Sequence, residues 1–415
     1  MAGARAEPLF RPGARQVFWT LLVGYAAFYL CRANVDAAAP LLEKAFGYDK
    51  VRLGALSSLG TIAYAIGKVT LGPLGDRLGG RRIFLLCLFG SVVASLTIGA
   101  VAGAFSLLLG VVVLNRFAQS GGWGGLVNVV SKWFRRDHYG TVMGGLSTSY
   151  ELGNVCALVL SGVIGARFGW RALFLVNPLL LALVGVVAFF TLEGRPATEE
   201  VQAEAASTED RPRLGEVLAA LAQQPAFWFG LGLSFLLTFA RSGFLAWTPM
   251  FLAEVTGKVQ GGIVKSAIFP AAAVVSALAV GRYSDRLGPG RRAPVMTVML
   301  ALLTVAVLVL AHYGTRSAAL AFPMIGVCGL MLLGPYSLLG GAVSLDVAGK
   351  TGAATAAGLV DGVGYLGGSL AGILMGFLAK RWGWAAAFYA IAVAALLGAL
   401  LAAVWSRLSM RRAIG

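Results

Sequence analysis

The sequence predicts an all-α membrane protein of twelve transmembrane helices in two pseudo-symmetric six-helix bundles. Of its 415 residues, 58% are hydrophobic and 13% are charged, and the mean hydropathy is +0.80. A soluble core cannot bury that much apolar surface, so lipid must serve as the solvent. Polar signatures also recur 209 residues apart in the two halves of the chain. Together these observations predict a duplicated helical membrane unit.

Apolar runs close to the ~20 residues that a helix needs to cross a bilayer give about twelve predicted spans. The first run continues through Arg32 without a small-residue cleavage site, which indicates a retained helix rather than a signal peptide. The predicted spans, numbered 1 to 12, lie near residues 17–42, 52–75, 82–103, 106–133, 139–166, 171–192, 226–253, 261–283, 293–313, 317–345, 353–380 and 385–406.

A polar stretch between Glu193 and Gln224 separates six spans from six. Its sequence, EGRPATEEVQAEAASTEDRPRLGE, contains two prolines and a cluster of acids. Such a composition is typical of a flexible or surface-lying linker rather than a functional domain. The predicted organisation is therefore an N-terminal bundle at 1–192, a linker at 193–225 and a C-terminal bundle at 226–415.

Internal repeats relate the two halves. The 209-residue offset links Arg32 to Arg241, Pro40 to Pro249, and the sequence DRLG at 76–79 to DRLG at 285–288. A second repeat, ARFGWRALF at 166–174 and KRWGWAAAF at 380–388, has an offset of 214, which loop insertions explain. Parallel repeats of six helices, related by an axis along the membrane normal, are a transporter architecture.

The net charge of +16 follows from membrane topology rather than from nucleic-acid binding. Loops on the side of both termini and the linker contain 20 Lys and Arg residues, whereas the opposite loops contain 10. By the positive-inside rule, this excess predicts that both termini are cytoplasmic. We also expect the protein to lie in the cytoplasmic (inner) membrane. We expect the lipid bilayer, and no nucleic acid, as a partner.

Cysteine usage indicates neither a metal site nor a disulfide framework. All four cysteines fall within predicted helices at unrelated spacings, namely Cys31, Cys87, Cys156 and Cys328. The two histidines, His138 and His312, lie near loops, and no metal-ligand cluster accompanies them. We therefore expect no cofactor and no enzymatic activity.

Polar residues form stripes on several predicted spans. A charge at membrane depth costs about 2.5–3.5 kcal/mol on insertion scales, so intramembrane arginines usually face a water-filled cavity. The stripes imply a shared wet lumen between the two halves. They comprise Tyr25, Tyr29, Arg32 and Asp36 on span 1, Ser57, Thr61, Tyr64 and Lys68 on span 2, Ser147, Tyr150, Glu151 and Asn154 on span 5, Ser234, Thr238, Arg241 and Thr248 on span 7, and Asp361, Tyr365 and Ser369 on span 11.

This lumen predicts an anion site between Arg32 and Arg241. The planar guanidinium matches phosphate or carboxylate oxygens, lysine adds a point charge, and tyrosine hydroxyls complete the shell without adding charge. The candidate binding residues are Arg32, Arg241, Lys68, Tyr25, Tyr29, Tyr64, Tyr150 and Tyr365. The candidates for coupling or gating are Glu151, Asp361, Asp36, Arg116, Asp76, Arg77, Asp285 and Arg286.

Structural explanations compete with these assignments. Arg32 can form an ion pair with Asp36, one turn away on its own span. Arg241 has no acid within a turn of its own span, which disfavours a structural ion pair there. Lys68 can extend its ammonium group to the membrane surface.

Two loops and one helix segment resemble the signatures of the major facilitator superfamily. The loop GPLGDRLGGRR at 72–82 and its partner GRYSDRLGPGRR at 281–292 resemble its cytoplasmic loop motif, and RFAQSGG at 116–122 resembles its span 4 motif. In the first motif, glycines let helix ends approach, and the aspartate can pair with helix dipoles or arginines. The resemblance implies that Arg116 stabilises the bundle or tunes coupling rather than binding substrate.

The chain is also similar to the organophosphate:phosphate antiporter family over nearly all of its length outside the linker and termini. The segments that carry this similarity are GYAAFYLCRAN at 24–34, AYAIGK at 63–68, WTP at 247–249 and the block GPYSLLGGAVSLDVAGKTGAATAAGLVDGVGYLGGS at 334–369. The resemblance implies exchange of an organophosphate for inorganic phosphate. It also implies that Arg32 and Arg241 clamp the phosphoryl group, that Lys68 assists, and that the protein functions as a monomer.

The chain departs from this family at two places. The glycerol phosphate transporters have a histidine on span 5 where this chain has Tyr150, followed by Glu151. The family's Gly-Trp-Pro-Pro on span 4 is Gly-Trp-Gly-Gly at 122–125. The first departure leaves proton-coupled symport of an organic anion open, with Glu151 or Asp361 as the proton carrier. A transporter-like membrane sensor is a further alternative.

Overall fold

The structure, a computed structural model, describes residues 13–134, 139–194, 214–287, 292–339 and 344–414. Within them, helices form all the predicted spans in the predicted order. The first half contains helices Ala14–Phe28 and Ala33–Phe46 (span 1), Lys50–Leu78 (span 2), Gly80–Val101 (span 3), Phe105–Trp133 (span 4) and Tyr139–Thr191 (spans 5 and 6). After Leu214–Ala222 follow Pro225–Thr256 (span 7), Val259–Ser266 and Ile268–Leu287 (span 8), Arg292–His312 (span 9), Ala318–Leu338 (span 10), Ser344–Trp382 (span 11) and Trp384–Ile414 (span 12).

Apolarity alone does not identify every span. Eight segments of the described helices are long and apolar enough to cross a membrane, and one of them, 142–191, contains both span 5 and span 6. Spans 1, 2 and 4 fall outside this set, and they are the spans that contain Arg32, Lys68 and Arg116. The prediction of twelve membrane helices is nevertheless confirmed, because these three spans are helical in the structure.

Span 1 is interrupted where the binding residues lie. A 3₁₀ turn at Tyr29–Cys31 separates its two helices, and the Arg32 N–H donates to the Tyr29 carbonyl oxygen at 3.1 Å. The Cys31 carbonyl oxygen instead accepts hydrogen bonds from the side-chain amides of Asn115, at 3.1 Å, and Gln119, at 3.0 Å. Span 4 thus satisfies a backbone group at the break and fixes the position of Arg32.

Glycines in the second repeat make the sharp turns between neighbouring spans. Gly169 has φ 76° and ψ −176° and divides spans 5 and 6, and Gly383, with φ 81°, lies between spans 11 and 12. Positive φ is open to glycine at no steric cost, whereas other residues adopt it rarely. The matched turns explain why the glycine recurs in ARFGWRALF and KRWGWAAAF.

The two halves contact each other through spans 1 and 7, 2 and 11, and 5 and 8. The end of the spans nearest the linker is here called the linker face, and the other end the opposite face. At the opposite face, Asp49 pairs with Lys380 at 2.9 Å and Lys50 pairs with Glu254 at 2.9 Å. The described hydrogen bonds and ion pairs that join the two halves are found at the depth of Lys68 in the membrane or nearer to the opposite face. The protein is therefore closed at the opposite face.

The Asp49 carboxylate lies in the short loop between spans 1 and 2, outside the membrane-spanning helices. Its hydrogen bond from Lys380, together with one from the Arg52 backbone N–H at 2.8 Å, holds the pKa of the Asp49 carboxyl below its usual value. Both donors favour the ionised carboxylate. The pair with Lys380 therefore persists in mildly acidic solution.

The duplicated loops lie at the linker face. Arg77 is exposed there, at the end of span 2. The side chains of Asp76, Asp285 and Arg286 lie outside the described residues, so their gating role stays a prediction.

Candidate substrate-binding site

Arg32 is held from three directions at the break in span 1. Its Nε donates to Gln119 Oε1 at 2.8 Å, and its Nη1 donates to the Tyr29 hydroxyl at 3.1 Å. The guanidinium carbon lies 4.6 Å from the ring centres of both Tyr29 and Tyr64. Its Nη2 is buried and makes no hydrogen bond to any residue that the structure describes. These contacts fix the orientation of the guanidinium and leave Nη2 as the donor without a partner among the described residues.

Gln119 orients that guanidinium and was missed in the sequence analysis. Its amide nitrogen lies within hydrogen-bond distance of the Cys31 carbonyl oxygen, Ser91 Oγ (3.0 Å) and Asn115 Oδ1 (2.8 Å), and these acceptors take up its two N–H groups. With the nitrogen so occupied, the amide oxygen must face Arg32. Its position in the span 4 segment RFAQSGG, three residues after Arg116, could have marked it as a candidate.

The alternative of an Arg32–Asp36 ion pair is wrong. Asp36 Oδ2 instead accepts a hydrogen bond from Arg116 Nη2 at 3.3 Å, and both side chains are largely buried. The break in span 1 turns Arg32 toward the tyrosines, while Asp36, in the next helix, faces span 4. The pair joins spans 1 and 4, which favours a bundle-stabilising role for Arg116 over contact with substrate.

Lys68 faces the other half rather than the membrane surface. Its ammonium nitrogen lies 3.3 Å from Asp361 Oδ2 on span 11 and 4.9 Å from the centre of the Tyr365 ring. The Tyr64 ring centre lies 5.7 Å away. These contacts disfavour the alternative that Lys68 reaches the surface, and they make a charged link between spans 2 and 11.

Arg241 also has a counter-ion, contrary to the expectation drawn from its own span. Its Nη2 donates to Glu151 Oε1 on span 5 at 2.8 Å, with side-chain exposures of 14% for Arg241 and 6% for Glu151. The acid comes from the other half of the chain, so no spacing along span 7 could reveal it. Arg241 Nε is buried and makes no hydrogen bond within the described part of the chain.

Tyrosines line the space around these charges. The guanidinium carbon of Arg241 lies 5.1 Å from the Tyr336 ring centre and 5.9 Å from that of Tyr150. The Tyr25 and Tyr64 hydroxyls are 3.5 Å apart. Cation–π contacts of this kind contribute about 0.5–2 kcal/mol each and hold cations without neutralising them. Tyr336 was missed as a candidate, although it follows Gly-Pro in the recognised 334–369 block.

The two arginines belong to one electrostatic site. Tyr29 accepts a hydrogen bond from Arg32, and it is also close enough to Arg241 and Glu151 for their charges to act on its hydroxyl group. Tyr64 and Tyr365 connect Arg32 to Lys68, with their ring centres 5.5 Å apart. All eight predicted binding residues are therefore brought together by the fold.

Ion pairing leaves this site with a small positive charge. The cations inside the spans are Arg32, Lys68, Arg116 and Arg241, and the facing acids are Asp36, Glu151 and Asp361. Among the described residues, Arg32 is the one of these cations without an acidic partner. Arg32 and Arg241 each also have one buried N–H group without a hydrogen-bond partner among the described residues. Such groups suit a ligand with several negatively charged oxygens.

Other predicted polar residues serve the structure. Ser234 Oγ donates to the Val360 carbonyl oxygen at 2.7 Å, and Thr61 Oγ1 donates to the Ser57 carbonyl oxygen at 2.8 Å. Both hydroxyls are thereby occupied by backbone groups. In the part of the chain that the structure describes, no group of His, Cys, Asp and Glu side chains is placed to hold a metal ion.

The chain is similar over most of its length to two organophosphate transporters and to a membrane sensor. The chain is 25% identical to a "Probable hexose phosphate transport protein" of Chlamydia trachomatis, with 93% of this chain and 89% of the relative covered. It is 25% identical to a "Glycerol-3-phosphate transporter" of Bacillus subtilis, covering 94% and 92%. It is 28% identical to the "Membrane sensor protein UhpC" of Salmonella typhimurium, covering 94% and 91%.

A solved structure and a family match settle the architecture. A bacterial homolog of the human lysosomal transporter Spinster, crystallised in an inward-facing and unoccupied conformation, aligns with a TM-score of 0.81 and 17% identity. The alignment covers 97% of this chain and 98% of that one, so the fold is shared. Residues 21–372 match the family described as Major Facilitator Superfamily. This integral membrane protein therefore belongs to the Major Facilitator Superfamily, a family of transporters rather than of enzymes.

Proposed function

We propose that the protein is a secondary active transporter of a small phosphorylated metabolite, which it exchanges for inorganic phosphate. The observation that carries this proposal is the pair of largely buried arginines at matching positions of the two halves, each with a buried N–H group that has no hydrogen-bond partner among the described residues. The hexose phosphate and glycerol-3-phosphate transporters among its relatives support the substrate class.

Binding follows from the geometry of the two guanidinium groups. Phosphoryl oxygens would accept hydrogen bonds from Arg32 Nη2 and Arg241 Nε, which make no hydrogen bond within the described residues. Hydrogen bonds between ionised partners contribute about 1.5–3 kcal/mol each, roughly twice the value for neutral pairs. Tyr25, Tyr64 and Tyr365 would surround the bound anion, and Lys68 would add charge on one side.

Transport would proceed by alternating access. The ion pairs at the opposite face keep that side closed, so in this conformation the substrate would enter and leave from the linker face. Residues 1–192 and 226–415 would then rock around the site as two bodies joined by the linker at 193–225. The repeated Asp76-Arg77 and Asp285-Arg286 loops would control this movement at the linker face.

The orientation and assembly of the protein belong to the same proposal. Both termini and the linker would lie in the cytoplasm, because the linker-side loops hold 20 of the Lys and Arg residues against 10 on the other side. The protein would reside in the cytoplasmic membrane and act as a monomer. Each chain contains both arginines, so no second copy is needed to complete the site.

Proton-coupled symport is the principal alternative, because Glu151 and Asp361 lie within the site. Each carboxylate accepts a hydrogen bond from a cation, Glu151 from Arg241 at 2.8 Å and Asp361 from Lys68 at 3.3 Å. Because both already serve as counter-ions within the site, we favour exchange. The relative named as a membrane sensor supports a third candidate, a transporter-like sensor, which would bind its ligand without transporting it.

A ligand screen tests the proposed substrate class. Purified protein is heated with inorganic phosphate, glycerol phosphates, hexose phosphates, or non-phosphorylated carboxylates of similar size. A ligand at a hundredfold excess over its Kd stabilises the folded state by about 2.7 kcal/mol, which raises the melting temperature measurably. We expect stabilisation by phosphate and by at least one organophosphate. Stabilisation by carboxylates alone would contradict the proposal.

A further inference from the structure

The ion pair between Arg241 and Glu151 crosses the boundary between the halves inside the proposed site. Arg241 lies on span 7 and Glu151 on span 5, and the hydrogen bond between them is 2.8 Å long. Both side chains are largely buried, so solvent screens this pair little. By contrast, the Lys68–Asp361 pair is longer, at 3.3 Å, and Asp361 is 47% exposed. Glu151 is thus the more tightly held of the two carboxylates.

A carboxylate and a phosphoryl group present the same kind of acceptor to a guanidinium. Arginine has five N–H donors in a fixed plane, and a doubly hydrogen-bonded oxyanion needs two of them on one edge. Glu151 occupies Nη2 of Arg241, and Nε makes no hydrogen bond to any described residue. A phosphoryl group that takes two donors on the Nε edge therefore contacts Nη2 as well, where its negative charge meets that of the Glu151 carboxylate.

We propose that Glu151 is a built-in anion that competes with the substrate for Arg241 and thereby limits the affinity of the site. This inference rests on the proposed function, since it assumes that phosphate binds at Arg241. When substrate arrives, its oxygens replace the carboxylate on Nη2. Tyr29 and Tyr150, both within electrostatic reach of Glu151, have hydroxyl groups that can donate to the displaced carboxylate.

The physical consequence is a weaker but more rapidly reversible site. Without Glu151, Arg32 and Arg241 would both be unneutralised, and the phosphate would encounter two free guanidinium groups instead of one. The substrate would then bind more tightly and leave more slowly. Because Glu151 competes with every anion that binds Arg241, it lowers the affinity of the site without changing its selectivity among anions.

The test measures the Kd of purified protein for inorganic phosphate in Glu151→Gln, which keeps the shape of the side chain and removes its charge. We expect the Kd to fall at least tenfold, equivalent to about 1.4 kcal/mol. The KM for phosphate exchange should fall with it, and exchange should persist at saturating phosphate. The matched control is Glu193→Gln, which neutralises an exposed acid at the linker face and should leave the Kd within twofold of wild type.

Glu151→Asp provides a second variant that keeps the charge and shortens its reach. Because a shorter carboxylate holds Arg241 less closely, we expect a smaller fall in Kd, about threefold. A Kd that is unchanged or raised in Glu151→Gln, or in Glu151→Asp if the first variant does not fold, would overturn the inference. Failure of the wild-type protein to bind phosphate at all would instead contradict the proposed function on which it rests.

Discussion

Replacing Arg32 by lysine separates the role of charge from that of shape in the proposed site. Arg32 uses Nε for Gln119 and Nη1 for Tyr29, and Nη2 is left for a ligand. A lysine ammonium keeps the positive charge and the attraction to the Tyr29 and Tyr64 rings, but it cannot form a planar fork. We therefore expect Arg32→Lys to fold and to bind substrate more weakly.

The magnitude follows from the hydrogen bonds to a charged ligand that are lost. A charge-assisted hydrogen bond contributes about 1.5–3 kcal/mol, so losing one well-oriented bond to the phosphoryl group weakens binding about 10- to 150-fold. The assay is uptake of labelled phosphate into phosphate-loaded proteoliposomes, with the amount of inserted protein measured for each variant. Substrate concentrations well below the KM make the loss of affinity visible in the rate.

A second arginine that stacks on an aromatic ring provides the control. The guanidinium carbon of Arg171 lies 4.8 Å from the Trp170 ring centre, near the opposite face and away from the site. Arg171→Lys should transport at a rate within twofold of wild type. If inserted and folded Arg32→Lys matched that rate, the argument that the guanidinium fork binds the substrate would be refuted.

The other predictions concern stability and closure. Asp36→Asn leaves Arg116 without its counter-ion and should lower the free energy of unfolding by about 3 kcal/mol, measured by denaturation in detergent; no change would contradict a structural role for this pair. Gly54→Ala places a methyl group against the backbone of span 11 and should slow exchange at least tenfold, whereas Gly110→Ala, where the methyl meets open space, should not. Because the pKa of Asp49 is lowered in the folded protein, its ion pair contributes stability above the usual aspartate pKa of about 3.9 and loses it as the pH falls further. The melting-temperature difference between wild type and Asp49→Asn should therefore be constant from pH 8 to pH 5, begin to shrink only near pH 4 and be lost below the lowered pKa of Asp49, and a difference that vanished by pH 6 would contradict this account.

Much of the fold and of the site could be predicted because duplication and polarity are local properties of the sequence. The 209-residue offset located Arg32 and Arg241, and the polar stripes on spans 1 and 2 located Tyr29, Tyr64 and Lys68. The fold confirms that these residues face one another. Helical spacing was sufficient to predict this arrangement, because charged residues on one face of a membrane helix almost always face the interior of the bundle.

The charge pairing could not be predicted, because it depends on how separate spans pack. Glu151 reaches Arg241 across the interface of the two halves, and Asp36 meets Arg116 rather than Arg32. The break at Tyr29–Cys31 has no glycine or proline to mark it, and its carbonyl is satisfied by span 4. Sequence spacing along one helix therefore identified polar residues that the fold brings together, but it assigned some of them the wrong partners.

The central claim is exchange of phosphorylated anions at the two arginines, and counter-transport measures it most directly. Proteoliposomes are loaded with inorganic phosphate or left without it, and uptake of labelled phosphate is followed at equal internal and external pH. The account predicts at least fivefold faster uptake into the loaded vesicles, and loss of this difference in Arg32→Lys and Arg241→Lys. Accumulation driven by an inward pH gradient, equal in loaded and empty vesicles, would contradict it and identify a proton symporter.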